Sequence, residues 1–395
     1  MNDAASTAHV TPPGRVPRNY RSWRVVVPVV AVAGVAVGVL VVSDGIRDRE
    51  PTMGSSRVTG GAASHLEMVS GTVWVANEDG ASLSAIDTAS NTVATTVEGV
   101  EGPHNVQVSP NGKSVWAVSG HDSLAVMFDA SSLQLHGVAA TGGAPAHVIL
   151  TPDGRTTYTT NGADNTVTAI DSATMASVAE IPVGAGPHGL RPSPDGRWVV
   201  VANVAGRTLT FIDTASNASV ADVAVGTAPA QVAFSPDGAF VYASVSGEDA
   251  VVKVDVATRK VLGRVAVGDG PIQTFVTPDD RYLLVANQGR EDQPGTTVSV
   301  IDTKTFTVAR TVETGQGAHG IVVDPSSRHA YVTNLYGDDV AVIDLEELRV
   351  VARIPVGDKP NGISFSSVTV PAQVAVMLDV PAPDGGAEPN EDMAH

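Results

Sequence analysis

The chain of 395 residues is 43% hydrophobic and 17% charged, enough apolar material to bury a sizeable core. Its formal net charge of −18 repels a polyanion and argues against a nucleic-acid partner, while its 39 glycines and 25 prolines suit the turns of a many-stranded protein. No cysteine is present, which excludes disulfide staples, thiolate metal sites, lipoprotein attachment and a cysteine nucleophile.

Residues 1–24 form a basic N-terminus, with Arg15, Arg18, Arg21 and Arg24 against the single acid Asp3. Residues 25–42 follow as an uncharged, valine-rich run of 18 residues, the length of a transmembrane helix, and the arginines ahead of it mark the cytoplasmic flank. Ala31-Val32-Ala33 resembles a signal-peptidase site, but it lies inside the run and leaves too short an apolar segment before it. A signal-anchor is therefore preferred over a cleaved signal peptide. The expected location is the cell membrane, crossed once, with the rest of the chain on the extracytoplasmic side, or secreted if the segment is cleaved. Residues 43–64, rich in Gly and Ser, read as a flexible linker.

Residues 65–367 are an internal repeat. An apolar residue followed by Asp recurs at Asp87, Asp129, Asp171, Asp213, Asp255, Asp302 and Asp344, in steps of 42 residues with one step of 47. In the copy spanning 185–226, a lead-in at 189–192 precedes the turn Ser193-Pro194-Asp195-Gly196. Three further runs follow, at 198–203, 208–212 and 218–225, giving four short strands per copy. Pro presets φ in that turn and Gly closes it; Thr277-Pro278-Asp279-Asp280 and Asp324-Pro325-Ser326-Ser327 lack the Gly, so the sequence signal for the turn is weaker there. Seven such copies predict an all-β fold, a seven-bladed β-propeller of four-stranded blades. The first copy has only three clear strands, at 72–77, 82–87 and 92–98, and a surplus strand stands at 361–366. That C-terminal strand is expected to complete the first blade and close the ring; residues 66–69 are the competing candidate.

The five-residue insertion of the sixth copy enlarges a polar loop at 288–295, on the face where the innermost strands begin. Residues 368–395 form a C-terminal extension: 368–380 has the character of one or two further strands, and 381–395 reads as a disordered acidic tail.

The second strand ends in Asn at Asn77, Asn161, Asn203, Asn287 and Asn334, and the last of these closes the tetrad Tyr331-Val332-Thr333-Asn334. Over residues 72–366 the chain resembles the YVTN-type β-propeller repeat family. The resemblance implies a propeller of the kind found in surface-layer and other extracytoplasmic proteins and shared by the propeller of nitrous oxide reductase. It implies a scaffold and leaves the ligand open.

His104, His188 and His319 occupy one repeat position, at the start of the innermost strand beside the central channel; the matching residues elsewhere are Ala146, Ala230, Ile272 and Asn361. Three imidazoles converging there would hold a divalent transition metal, the cofactor considered. His147 sits one residue later, and the period of two along a strand puts it on the opposite face. His104, His147, His188, Asn203, Asn287, His319 and Asn361 are the candidate ligand-binding residues. The seven repeated Asp are expected to cap turns, and Trp74, Trp116, Tyr158, Tyr242 and Tyr331 to pack the core. No catalytic constellation is present: no Gly-rich phosphate loop, His-Glu-x-x-His helix or Gly-x-Ser-x-Gly elbow occurs. The preferred function is that of a monomeric, membrane-tethered binding module for an extracytoplasmic protein or small ligand. A metal-dependent or redox-associated enzyme is the alternative, and a propeller lactonase lacks an acid-base pair.

Overall fold

The computed structural model describes residues 69–381, so the basic N-terminus, the apolar run at 25–42, the linker and the tail from residue 382 lie outside the described residues. Among the described residues no helix is long and apolar enough to cross a membrane. Seven antiparallel sheets follow one another, six of four strands and one of five, and together they form a seven-bladed propeller.

The first blade contains Thr72–Asn77, Ser82–Asp87 and Thr92–Glu98, and its innermost strand is Pro360–Ser366 from the far end of the chain. The register runs Thr72 to Ser366, Trp74 to Ser364 and Val75 to Ile363. That edge of Thr72–Asn77 is thereby filled. Of the competing segment only Val69 is described, and it lies outside any strand.

The turns explain why the repeat reads as it does. In the four Pro-x-Gly copies the closing residues Gly112, Gly154, Gly196 and Gly238 all have φ near +70°. Asp280 and Ser327 adopt φ of +57° and +60° at the same place, so the two departing copies keep the same turn conformation. The residue that opens the turn holds it in copies with and without the Gly: the Thr277 hydroxyl donates to Asp279 Oδ1 at 2.6 Å and accepts the Tyr282 N–H at 3.0 Å, as the Ser193 hydroxyl does with Asp195 and the Trp198 N–H. The repeated Asp caps the turn between third and fourth strands; Asp255 Oδ1, for instance, accepts the Thr258 N–H at 2.7 Å.

The core lies in the seams between blades. Trp74, Trp116, Tyr158, Tyr242 and Tyr331 are at most 1% exposed. Trp74 meets Phe128 of the second blade edge to face at 5.4 Å, and Tyr158 donates to Asn217 of the next blade at 2.6 Å.

The insertion of the sixth copy is a hairpin extension. It lengthens Tyr282–Arg290 and Gln293–Asp302, whose pairing ends at Arg290 and Gln293, and Gln288 reaches the Tyr336 hydroxyl of the seventh blade at 3.1 Å. Among the described residues of the C-terminal extension, Val376–Met377 alone forms a strand, parallel to Thr92–Glu98, while Val370 and Leu378 are buried against the first two blades.

Deleting 360–395 removes the innermost strand of the first blade and exposes a sheet edge, so the protein should lose cooperative thermal unfolding and aggregate. Deleting 382–395 alone should leave the melting midpoint unchanged within about 1 °C. Calorimetry of the two truncations checks both outcomes.

Candidate metal centre

The innermost strands are Pro103–Val108, Pro145–Leu150, Pro187–Pro192, Pro229–Phe234, Pro271–Val276, Ala318–Val323 and Pro360–Ser366. In all seven, pairing with the adjacent strand is broken between the first and fourth residues, as between Pro145 and Val148. The second and third residues therefore leave the ladder, and their side chains are released from strict alternation. His147 is the third residue of its strand. Its N–H is bonded by the Thr160 hydroxyl at 3.1 Å in place of a ladder partner, and its ring joins those of His104 and His188. The expectation that His147 faces away from the other histidines is thus overturned, because the period of two does not hold where the ladder is interrupted.

The same hydroxyl positions the next blade. Thr160 donates to the His188 carbonyl at 2.7 Å, and Thr333, of the Tyr331–Asn334 tetrad, accepts the Gly320 N–H at 2.7 Å and donates to the Asn361 carbonyl at 2.8 Å. A Cβ on Gly189 would come within 2.4 Å of Gln231 Oε1, so a bare backbone is required beside the larger third-position side chains.

His104, His147 and His188, from three consecutive blades, each bring a ring nitrogen to a common point, all within 4.8 Å of one another. His104 Nε2 and His188 Nε2 are 3.1 Å apart. Three imidazole nitrogens on a tetrahedral ion at bond lengths of about 2.0–2.1 Å would be spaced by about 3.3 Å, close to this separation. His319 stands beside the trio, 6.2 Å from His104 between ring centroids, and is not part of it, so the expected set of His104, His188 and His319 changes membership. His319 is 3% exposed and, among the described residues, neither of its ring nitrogens nor His147 Nε2 has a hydrogen-bond partner.

A second layer orients the rings. His188 Nδ1 donates to the Ala230 carbonyl at 3.0 Å, which leaves the Nε2 lone pair toward the cluster. His104 Nδ1 lies 3.4 Å from Glu78 Oε2 and 3.0 Å from Asn361 Nδ2, and that amide donates to the same carboxylate oxygen at 2.7 Å. Asn361 thus belongs to the site. Glu78 was not anticipated, although the repeat carries the signal: the residue after the tetrad is Gly120, Gly162, Val204, Ser246, Gln288 or Leu335 in the other copies, and Glu78 alone is charged.

Burial, with repulsion from neighbouring rings, pushes the His147 imidazole well below its ordinary value, His188 down to about 4 and His319 down to about 3. Burial raises the Glu78 carboxyl, but the hydrogen bond and charge of His104 and the Asn361 amide outweigh it and hold Glu78 at about 2. Neutral His147 and His188 are in the protonation state that metal coordination needs.

Asn203 and Asn287 prove to be occupied within their own blades. Asn203 Nδ2 donates to the Thr208 and Thr210 hydroxyls at 3.0 and 2.9 Å, and Asn287 Nδ2 to Thr297 and Ser299 at 2.9 and 3.0 Å. Both are buried, and each packs its amide against a glycine, Gly184 or Gly268, where a Cβ would collide with it. Their repeated partners account for their recurrence without a ligand.

These features define a seven-bladed propeller with a histidine cluster at one channel mouth. The YNCE-like beta-propeller family model matches residues 139–377, and the chain belongs to that family. No curated protein matches it. Among solved structures it is similar to the hydrazine synthase of Kuenenia stuttgartiensis, at 24% identity and a TM-score of 0.62, over 67% of this chain and 90% of that one. A protein of unknown function from Desulfotomaculum acetoxidans DSM 771 gives 15% identity and a TM-score of 0.67, over 75% and 99%. The dihydro-heme d1 dehydrogenase NirN in complex with DHE gives 16% and 0.56, over 77% of each chain. At these identities the likeness is one of fold.

His319 and its neighbours are held neutral by the fold, so below the unfolded value of 6.5 the unfolded chain binds protons that the native state refuses. Stability of the metal-free protein should therefore fall as pH drops from 6.5 toward 4, and His319→Gln should flatten that dependence, read from melting midpoints across the range. Asn203→Ala and Asn287→Ala should each cost about 1–3 kcal/mol in chemical denaturation while leaving metal binding at the histidines unchanged.

Proposed function

We propose that this protein is a membrane-tethered, extracytoplasmic binding module that holds a divalent transition-metal ion at the channel mouth through His104, His147 and His188. The observation that carries the reading is the convergence of three ring nitrogens within 4.8 Å, contributed by three separate blades. Imidazole is a borderline ligand suited to zinc, copper and nickel. Three ligands leave a coordination position for water or for a group on a partner. The carboxylate of Glu78, set against His104, is the orienting partner that strengthens a histidine ligand. Binding is favoured over turnover because Glu78, the carboxylate beside the trio, is already engaged by His104 and Asn361. The tether rests on the uncharged run at 25–42 behind four arginines, and the glycine- and serine-rich linker after it gives the propeller reach from the surface.

Purified full-length protein should contain about one equivalent of a transition metal by elemental analysis, or take up one equivalent of Zn²⁺ or Cu²⁺ by titration calorimetry. His104→Ala, His147→Ala and His188→Ala should each weaken binding about 100-fold, whereas His319→Ala should retain it. Absence of metal both before and after reconstitution, in protein that melts normally, would overturn the assignment.

A further inference from the structure

The opposite end of the same channel is built differently. Here the C-terminal halves of the innermost strands, with Pro278 and Pro325 from the following turns, enclose a cavity of about 550 Å³. Its walls include Ile149, Phe234, Phe275 and Phe365, and no acidic residue lines it. Arg191 rises from the fifth position of its strand into this apolar bowl. Its Nη1 donates to the Leu190 carbonyl at 3.1 Å, and among the described residues no carboxylate lies within 4.0 Å of it. The side chain is surrounded by protein but keeps some contact with solvent through the bowl, and desolvation alone pushes it down to about 10, leaving it fully charged at neutral pH.

A partly buried cation without a counter-ion is destabilising unless something else completes it. Among the described residues no carboxylate pairs with Arg191, which leaves the guanidinium fork open. We propose that this bowl binds an organic monocarboxylate with an apolar body, the carboxylate on Arg191 and the body among Phe234, Phe275 and Phe365. The guanidinium fork matches a carboxylate bidentately. The apolar walls select against a compact, strongly hydrated anion such as phosphate, whose desolvation a single arginine does not offset. The volume lies in the range of small-molecule pockets. This site is independent of the histidine cluster and goes beyond the metal-binding function.

The test uses 4-phenylbutyrate as probe, titrated into the full-length protein by calorimetry, with 4-phenylbutan-1-ol and inorganic phosphate as comparators. The acid should bind at least about tenfold more tightly than the alcohol, and phosphate should not bind at this end. Arg191→Leu should weaken the acid at least about tenfold, leave the alcohol unchanged, and leave the melting midpoint equal or higher, since it removes an uncompensated buried charge. His104→Ala should leave binding of the acid untouched, which separates failure here from failure of the metal site. Equal binding of acid and alcohol, binding of neither, phosphate matching the acid, or undiminished affinity in Arg191→Leu would overturn the proposal. So would a lowered midpoint in Arg191→Leu that Arg191→Lys restores without restoring selectivity for the acid, since that marks the arginine as structural.

Discussion

Everything in this fold depends on one strand pairing, that of Pro360–Ser366 with Thr72–Asn77. Until it forms, the seven blades are an open stack with a raw edge at each end, and the channel has no closed perimeter. Once it forms, every innermost strand has neighbours on both sides around a ring, and the residues they carry are held at fixed angles to one another. The contacts of His104 with Asn361 and with Glu78 are direct products of closure, since Asn361 lies in the closing strand and Glu78 follows the strand it pairs with.

Within the ring, the break in each inner ladder separates two chemical environments. At the start of the strands, second and third residues escape the ladder and both can present side chains to the channel, so polar groups crowd there: imidazoles, amides and one carboxylate. Further along, the ladder resumes and alternation returns, so the fifth positions present one ring of side chains backed by hydrophobic neighbours. The same seven strands thus support a hydrophilic, multiply coordinated mouth at one end and an apolar bowl with a single charge at the other. Hydroxyls such as Thr160 and Thr333, which accept from one blade and donate to the next, keep the two environments in register.

Much of this was legible in the chain. Blade number, strand order, the turn-capping Asp, the aromatic seams and the closing strand follow from a repeat whose period and punctuation survive in every copy. The histidine site was half legible. His104 and His188 share a repeat position and do meet, but His147 joins them and His319 stands aside. The alternation rule assumes an unbroken ladder, and none of the inner strands has one where it begins. Glu78 and Arg191 were visible as exceptions at their repeat positions; Arg191 stands where other copies have Gln107, Ile149, Ala233, Phe275, Val322 and Ser364. What no single copy could reveal is that both exceptions face the channel, because that direction belongs to the assembled ring. Asn203 and Asn287 mislead in the opposite sense, since their recurrence reflects a bond each blade makes to itself.

The closing strand also decides how the propeller bears mechanical load. The chain enters the ring at Thr72–Asn77, which is an interior strand, flanked on one side by Ser82–Asp87 and on the other by Pro360–Ser366. A pull transmitted through the residues ahead of it acts along the strand, across hydrogen bonds that run perpendicular to it in both ladders. Those bonds must shear together, whereas an edge strand would peel away one bond at a time. A propeller closed in this way resists being unravelled from the end at which it would be anchored.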